Sequence, residues 1–330
     1  MNRLPNSLRP GVFVYGQMVS AAAHRRSGVA AVAQAAQELE NIPETATKIE
    51  RLEDALVFGE TSALYQMVEA LLAAGASPVY ALAAGTDYAA AFEKLDGLEE
   101  LSIVVCDGGA QTLPAALERA AQLGQERVAV IAAALEQAPA LAAQLCCERV
   151  AVACDGGSHT VRTAAAFAAA IAACGAQQSL NGLALPLDAS SFDGTLTTAQ
   201  VEMLLAVGVT PFVRYGSAVE CVRALTSRAP KNRTWASVSS VLAVDEVLHT
   251  IRGVIKSRLK GRRNNLATRE SIASQITVEL ERLRIAGVIE SFQPPIVQIH
   301  PKDPAIAEAV LQIQVAPELN QIVISAELLI

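Results

Sequence analysis

Val104-Val105-Cys106-Asp107-Gly108-Gly109-Ala110-Gln111-Thr112 returns further along the chain as Val152-Ala153-Cys154-Asp155-Gly156-Gly157-Ser158-His159-Thr160. Each copy reads as an apolar strand, a Gly-Gly turn and a threonine able to N-cap the helix that follows. The separation of 48 residues between Asp107 and Asp155 is about two strand–helix units. The same alternation extends outward, from about 50 to 215. Ala55–Phe58, Pro78–Leu82, Leu101–Cys106, Arg127–Ile131, Arg149–Cys154 and Pro211–Arg214 are predicted strands. Between them lie stretches of helical period, such as Ala63, Met67 and Leu71 with Gly75 as C-cap. The predicted fold class is α/β, a largely parallel sheet core with helices on both faces.

Alternation stops near Tyr215-Gly216-Ser217-Ala218, where Pro211–Tyr215 and Val219–Ala224 read as a β-hairpin. A different, α+β module follows. Val244, Val247, Leu248, Ile251, Val254, Ile255 and Leu259 form one helical face ended by Gly261. A second helix is predicted with Thr268 as N-cap, Ile272, Ile276, Leu280 and Leu283 inward, and Gly287 closing it. Ile296–His300, Ala309–Val315 and Gln321–Ile330 are strand candidates, the second alternating apolar residues with Gln312 and Gln314. The expected division is an extended arm over 1–40, an α/β core over 41–230, a C-terminal α+β domain over 231–317 and a strand arm over 318–330.

The chain has 330 residues, 52% hydrophobic and 18% charged, with a net charge of −7. That is ample for one large or two medium domains, and it excludes a disordered protein. The acidic balance gives no global reason to expect nucleic-acid binding. The longest uncharged apolar run, Thr163 to Cys174, is too short to cross a bilayer, and the first residues lack the apolar core of a signal peptide. No membrane insertion is expected, and the chain is expected to be made in the cytoplasm and to stay soluble. Six scattered cysteines, with no C-x-x-C and no histidine at ligand spacing, are expected to be reduced thiols serving as small hydrophobes.

The repeated Asp-Gly-Gly turn is the strongest enzyme-like feature, since a strand–glycine–helix turn can seat a phosphate on a helix N-terminus. Neither G-x-x-x-x-G-K-[ST] nor G-x-G-x-x-G occurs, however, and Asp107 or Asp155 would repel an anion. Ser158, His159 and Asp155 suggest a hydrolase, yet the first copy has Ala110 and Gln111 in place of the serine and histidine. No G-x-S-x-G elbow is present either. No catalytic residue, cofactor site or metal site is expected.

Two features remain. Arg252, Lys256, Arg258, Lys260, Arg262 and Arg263 fall within a dozen residues without an acid between them. The cluster suits either the dipole of a helix C-terminus or docking to an acidic partner. The chain also begins and ends in strand-like runs with no partner near in sequence: Gly11–Gly16, holding Val12, Phe13, Val14 and Tyr15, and Gln321–Ile330, holding Ile322, Val323, Ile324 and Leu328. Unblunted strand edges recruit other chains.

Taken in order, these segments resemble the tail sheath protein of contractile bacteriophage tails, tailocins and related contractile injection systems. Arg9-Pro10-Gly11-Val12-Phe13-Val14 is similar to the family's opening strand, followed by Arg26-Ser27-Gly28-Val29-Ala30. Phe58-Gly59, Tyr65–Leu72 and Gly75-Ala76-Ser77-Pro78-Val79-Tyr80 match its next stretch. Leu204–Val209 and Val222–Thr226 match the helix and hairpin before the C-terminal domain, which is similar from Val244 to Ile330.

The resemblance implies a subtilisin-like type core and a virion or particle component assembled in the bacterial cytoplasm. Subunits would form stacked hexameric rings around a tail tube protein, with baseplate and tail terminator proteins as further partners. The two arms would add strands to neighbouring subunits. Lys256, Arg258, Lys260, Arg262 and Arg263 would face the tube. Contraction would draw on a metastable lattice rather than a nucleotide, in keeping with the missing P-loop. The alternative is a soluble α/β enzyme that binds a small ligand at the Asp-Gly-Gly turns.

Overall fold

The computed structural model of the chain describes residues 27–36, 42–190, 192–258 and 262–318. Nine strands form one sheet: β1 Gly28–Ala33, β2 Thr47–Ile49, β3 Val79–Ala83, β4 Leu101–Cys106, β5 Val128–Ala132, β6 Val150–Cys154, β7 Leu183–Ala184, β8 Val209–Tyr215 and β9 Ala218–Cys221. Their order is β2-β3-β1-β4-β5-β6-β8-β9-β7. The six strands from β3 to β8 in that order run parallel. Antiparallel strands close both edges: β2 beside β3, and β9 then β7 beside β8.

Both faces of the sheet are covered, as parallel strands require. On one face lie α1 (Ala63–Ala73) and α5 (Thr160–Cys174), through Leu64, Met67 and Leu71 and through the run Ala164 to Ile171. The alanines of α5 from Ala164 to Ala170 are buried, so this helix can lie close to the strands, and Phe167 meets Phe212 edge-on with ring centroids 5.1 Å apart. On the other face lie α2 (Tyr88–Glu93), α3 (Leu113–Gln122), α4 (Ala138–Leu145) and α6 (Thr198–Ala206).

The C-terminal module begins with α7 (Val238–Arg258) and α8 (Leu266–Ile285). Val244, Val247, Leu248, Ile251 and Ile255 of α7 pack on Ile276, Leu280 and Leu283 of α8. Four short strands follow: β10 Ile289–Phe292, β11 Ile296–His300, β12 Asp303–Val310 and β13 Ile313–Val315. They form two separate antiparallel ladders, β10 with β13 and β11 with β12.

Several expectations need correction. Gly28–Ala33, placed in the extended arm, is a fully buried strand in the interior of the sheet. Ala55–Phe58, expected as a strand, belongs to a 3₁₀ turn over Leu52–Phe58. Only Ala55 and Phe58 there are buried, at a spacing of three, and Asp54 accepts the N–H groups of Glu50 and Arg51. The run Ala309–Val315 breaks after Val310, and its two parts pair with different strands. Asn265, not Thr268, caps α8, and it does so by accepting the Thr268 N–H. The threonines of the repeat bond backward instead of capping: Thr112 Oγ1 to Gly109 O, and Thr160 Oγ1 to Asp155.

Candidate assembly surfaces

In a doubly wound sheet, ligands bind at the carboxyl ends of the strands where the strand order reverses. Here that point lies between β1 and β4, at Gln34 and Asp107. Tyr88, the first residue of α2, fills it. Its hydroxyl donates to Asp107 Oδ1 at 2.5 Å, and the Gln34 N–H donates to Oδ2 at 3.3 Å. Burial, then the bond to Asp107 and its charge, push the Tyr88 phenol well above its ordinary range. Gly108 and Gly109 lie flat against the ring. A Cβ at Gly109 would come within 2.7 Å of Tyr88, and its φ of +78° also disfavours any side chain. Tyrosine occupies the place of a ligand.

The second turn is closed differently. Asp155 is buried and accepts from Thr160 Oγ1 at 2.7 Å, Thr163 Oγ1 at 2.6 Å and the Gly157 N–H at 2.9 Å, so it secures the start of α5. It makes no hydrogen bond to His159 among the described residues. Asp193 does. One oxygen, Oδ2, accepts the Ser158 hydroxyl at 2.5 Å and lies 3.2 Å from His159 Nδ1, while Ser158 Oγ also lies 3.0 Å from that nitrogen. A serine relay needs the hydroxyl and the carboxylate on opposite ring nitrogens. Here both meet Nδ1 and the carboxylate takes the hydroxyl directly, so no proton path to the serine is assembled. The Ser158 bonds, chiefly, hold the Asp193 carboxyl down at about 2. The result is a loop clasp over the turn.

Charge also joins the two modules. Arg149, at the foot of β6, makes a two-pronged pair with Asp245 of α7, both bonds 2.7 Å. One face further along, Arg252 pairs with Glu126 at 2.7 and 3.0 Å and donates to Gly124 O at 2.7 Å. The Arg252 guanidinium rests on Gly124, where a Cβ would come within 2.8 Å of it. Arg252 is therefore turned inward and is not part of an outward basic patch. Lys256, Arg262 and Arg263 are exposed, Arg258 ends α7, and Lys260 lies outside the described residues.

The C-terminal ladders leave strand edges without a neighbour among the described residues. A two-stranded ladder is marginally stable by itself. The β11–β12 ladder exposes Ile296 (61%), Ile299 (44%) and Val310 (41%). The expected strand-exchange residues, Val12, Phe13, Val14, Tyr15, Ile322, Val323, Ile324 and Leu328, lie outside the described residues. All six cysteines are free thiols, with Cys106, Cys154 and Cys221 buried. Among the described residues no helix is long and apolar enough to cross a membrane, and no His/Cys/Asp/Glu group could hold a metal.

Tyr88, Asp193, Glu126, Arg149 and Asp245 were not legible as functional positions. The only sequence signal was the spacing of Asp245 and Arg252, seven residues apart on one helix face.

Two outcomes follow. Glu126 is almost fully buried; burial would raise its carboxyl, but the Arg252 bond and charge outweigh that and hold it below the ordinary 4.5. Arg252→Ala strands this charge and should cost about 3 kcal/mol in urea unfolding, whereas replacing both partners with apolar residues should cost much less. Because the folded-state value is the lower one, the pair's contribution is full above about pH 4.5 and is lost as pH falls through the folded value. The second outcome concerns the crevices. Millimolar ATP, NAD or phosphate should leave the wild-type Tm unmoved, and a rise of several degrees would restore the ligand reading.

No family model matches the chain, and no curated protein matches it in sequence. Solved structures do match. A chain of the anti-feeding prophage baseplate is similar over 99% of both chains, at 14% identity and a TM-score of 0.70. A chain of the PVC sheath complex, an extracellular contractile injection system in its contracted state, is similar over 99% of this chain and 98% of that one, at 15% identity and a TM-score of 0.70. The sheath tail protein of Desulfitobacterium hafniense matches 92% of this chain and all of its own length, at 14% identity and a TM-score of 0.65. From the parallel sheet through the C-terminal ladders, the chain therefore has the fold of contractile-system sheath proteins.

Proposed function

We propose that the chain is the structural subunit of a contractile sheath. It would polymerise with copies of itself as stacked hexameric rings around a tail tube protein and contract to drive the tube through a target envelope. The observation that carries this reading is the fold match to the PVC sheath chain over nearly the whole of both chains. The unpartnered ladder edges support it, being suited to accept strands from neighbouring arms. So do the filled crevice and the clasped turn, which leave little room for a ligand at the Asp-Gly-Gly turns.

Contraction would draw on a metastable extended lattice, released by a baseplate partner, with each subunit gaining packing against its neighbours. The body would move nearly rigidly while the arms serve as hinges. A tail terminator protein would cap the assembly, in a phage tail or a headless contractile particle put together in the bacterial cytoplasm.

Negative-stain microscopy of the purified chain, with tube protein added, should show hollow helical tubes. Removing residues 1–20 or 319–330 should abolish them while leaving a folded soluble body. Discrete globular particles with tube present would sink the proposal. Lys256, Arg262 and Arg263, the exposed cations of the cluster among the described residues, would face the tube. Reversing all three to glutamate should reduce tube decoration several-fold at low salt, with the difference narrowing as salt screens both forms.

A further inference from the structure

Beyond β13 the chain continues as Ala316-Pro317-Glu318 with no strand pairing. This stretch borders a cavity of about 220 Å³, shared with Gln178, Ser239, Ala243 and Val288. Pro317 has no N–H to donate, and the buried Ser239 hydroxyl in the cavity has no hydrogen-bond partner among the described residues. Packing and backbone pairing therefore do little to hold the segment down.

Glu318 does hold it. Its Oε2 accepts the Ser237 hydroxyl at 2.6 Å and the Asn181 amide at 3.0 Å, and its Oε1 accepts the Ser179 hydroxyl at 3.4 Å. Asn181 in turn accepts the Ala224 N–H at 2.9 Å. Ser237 immediately precedes α7, Ser179 and Asn181 lie just before β7, and Ala224 follows β9. One carboxylate thus joins the end of the C-terminal module to the sheet domain and to the start of α7. Hydrogen bonds to a charged acceptor are about twice as strong as neutral ones.

We infer that Glu318 is a load anchor for the residues that follow it, a role that rests on the sheath reading above. In a lattice linked through C-terminal segments, tension would enter each subunit just beyond Glu318. Without the anchor, the pull would reach β13 directly. Its ladder with β10 has three register pairs, interrupted by an irregularity, and would open one pair at a time from the loaded end. With the anchor, the pull passes into the sheet domain and α7 before β13 is stressed.

The test compares wild type, Glu318→Ala and Ser237→Ala. Ser237→Ala removes the shortest bond from outside the segment, and it guards against a Glu318 variant that fails to fold. Hydrogen exchange of residues 313–316 in the soluble chain should quicken about tenfold in both variants. The assembled polymer should dissolve at lower urea, by a margin clearly larger than the small fall in the unfolding midpoint of the soluble chain. Unchanged exchange overturns the anchor. Faster exchange with a polymer as urea-resistant as wild type overturns the load-carrying role. A wild type that never polymerises on tube protein overturns the sheath reading and the load role with it, and the exchange result still separates that failure from failure of the anchor.

Discussion

Parallel strands cannot be joined by tight turns, so every crossover must lie as a helix on one face of the sheet. Six parallel strands therefore commit this chain to burying both faces, and the rest of the molecule is arranged around that requirement. Polyalanine in α5 answers it on one side, because small side chains let the helix rest near the strands. Four shorter helices answer it on the other. The same topology creates a crevice at the carboxyl ends, which many α/β proteins use for a ligand. This chain fills one crevice with Tyr88 and clasps the next turn with Asp193, converting a binding architecture into a solid block.

A solid block suits a part that transmits force. On the sheath reading proposed above, the assembly surfaces would lie outward, on the ladders of the C-terminal module. Among the described residues the ladders lack a second covering layer, and they expose Ile296, Ile299 and Val310, apolar residues that a monomer gains nothing by showing. The buried core sits at the centre, and the strand edges that lack a partner among the described residues sit at the periphery.

The largely apolar strands β4, β5 and β6 were legible to within a residue, because burial on both faces leaves a near-continuous hydrophobic run, broken only by Ser102. Gly28–Ala33 was not. Its glycine and three alanines carry none of the branched or aromatic signal of a strand, and it follows a basic, polar stretch. Leu52–Phe58 failed for the opposite reason, having apolar content without strand periodicity. At the candidate sites the repeated turns were visible, but their occupants were not. Tyr88 and Asp193 reach the turns from 19 and 35 residues away, and contacts of that range leave no local pattern. The inward turn of Arg252 was hidden similarly, since its partner Glu126 sits 126 residues earlier.

The two ion pairs between α7 and the sheet domain occupy positions 245 and 252 of one helix, which places them about 10 Å apart along its axis. A single bond would leave α7 free to swivel about it. Two bonds so separated form a couple, so a torque on the C-terminal module turns the sheet domain with it. A twist imposed at the ladders would then be passed through α7 to the strands of the sheet domain that these pairs hold.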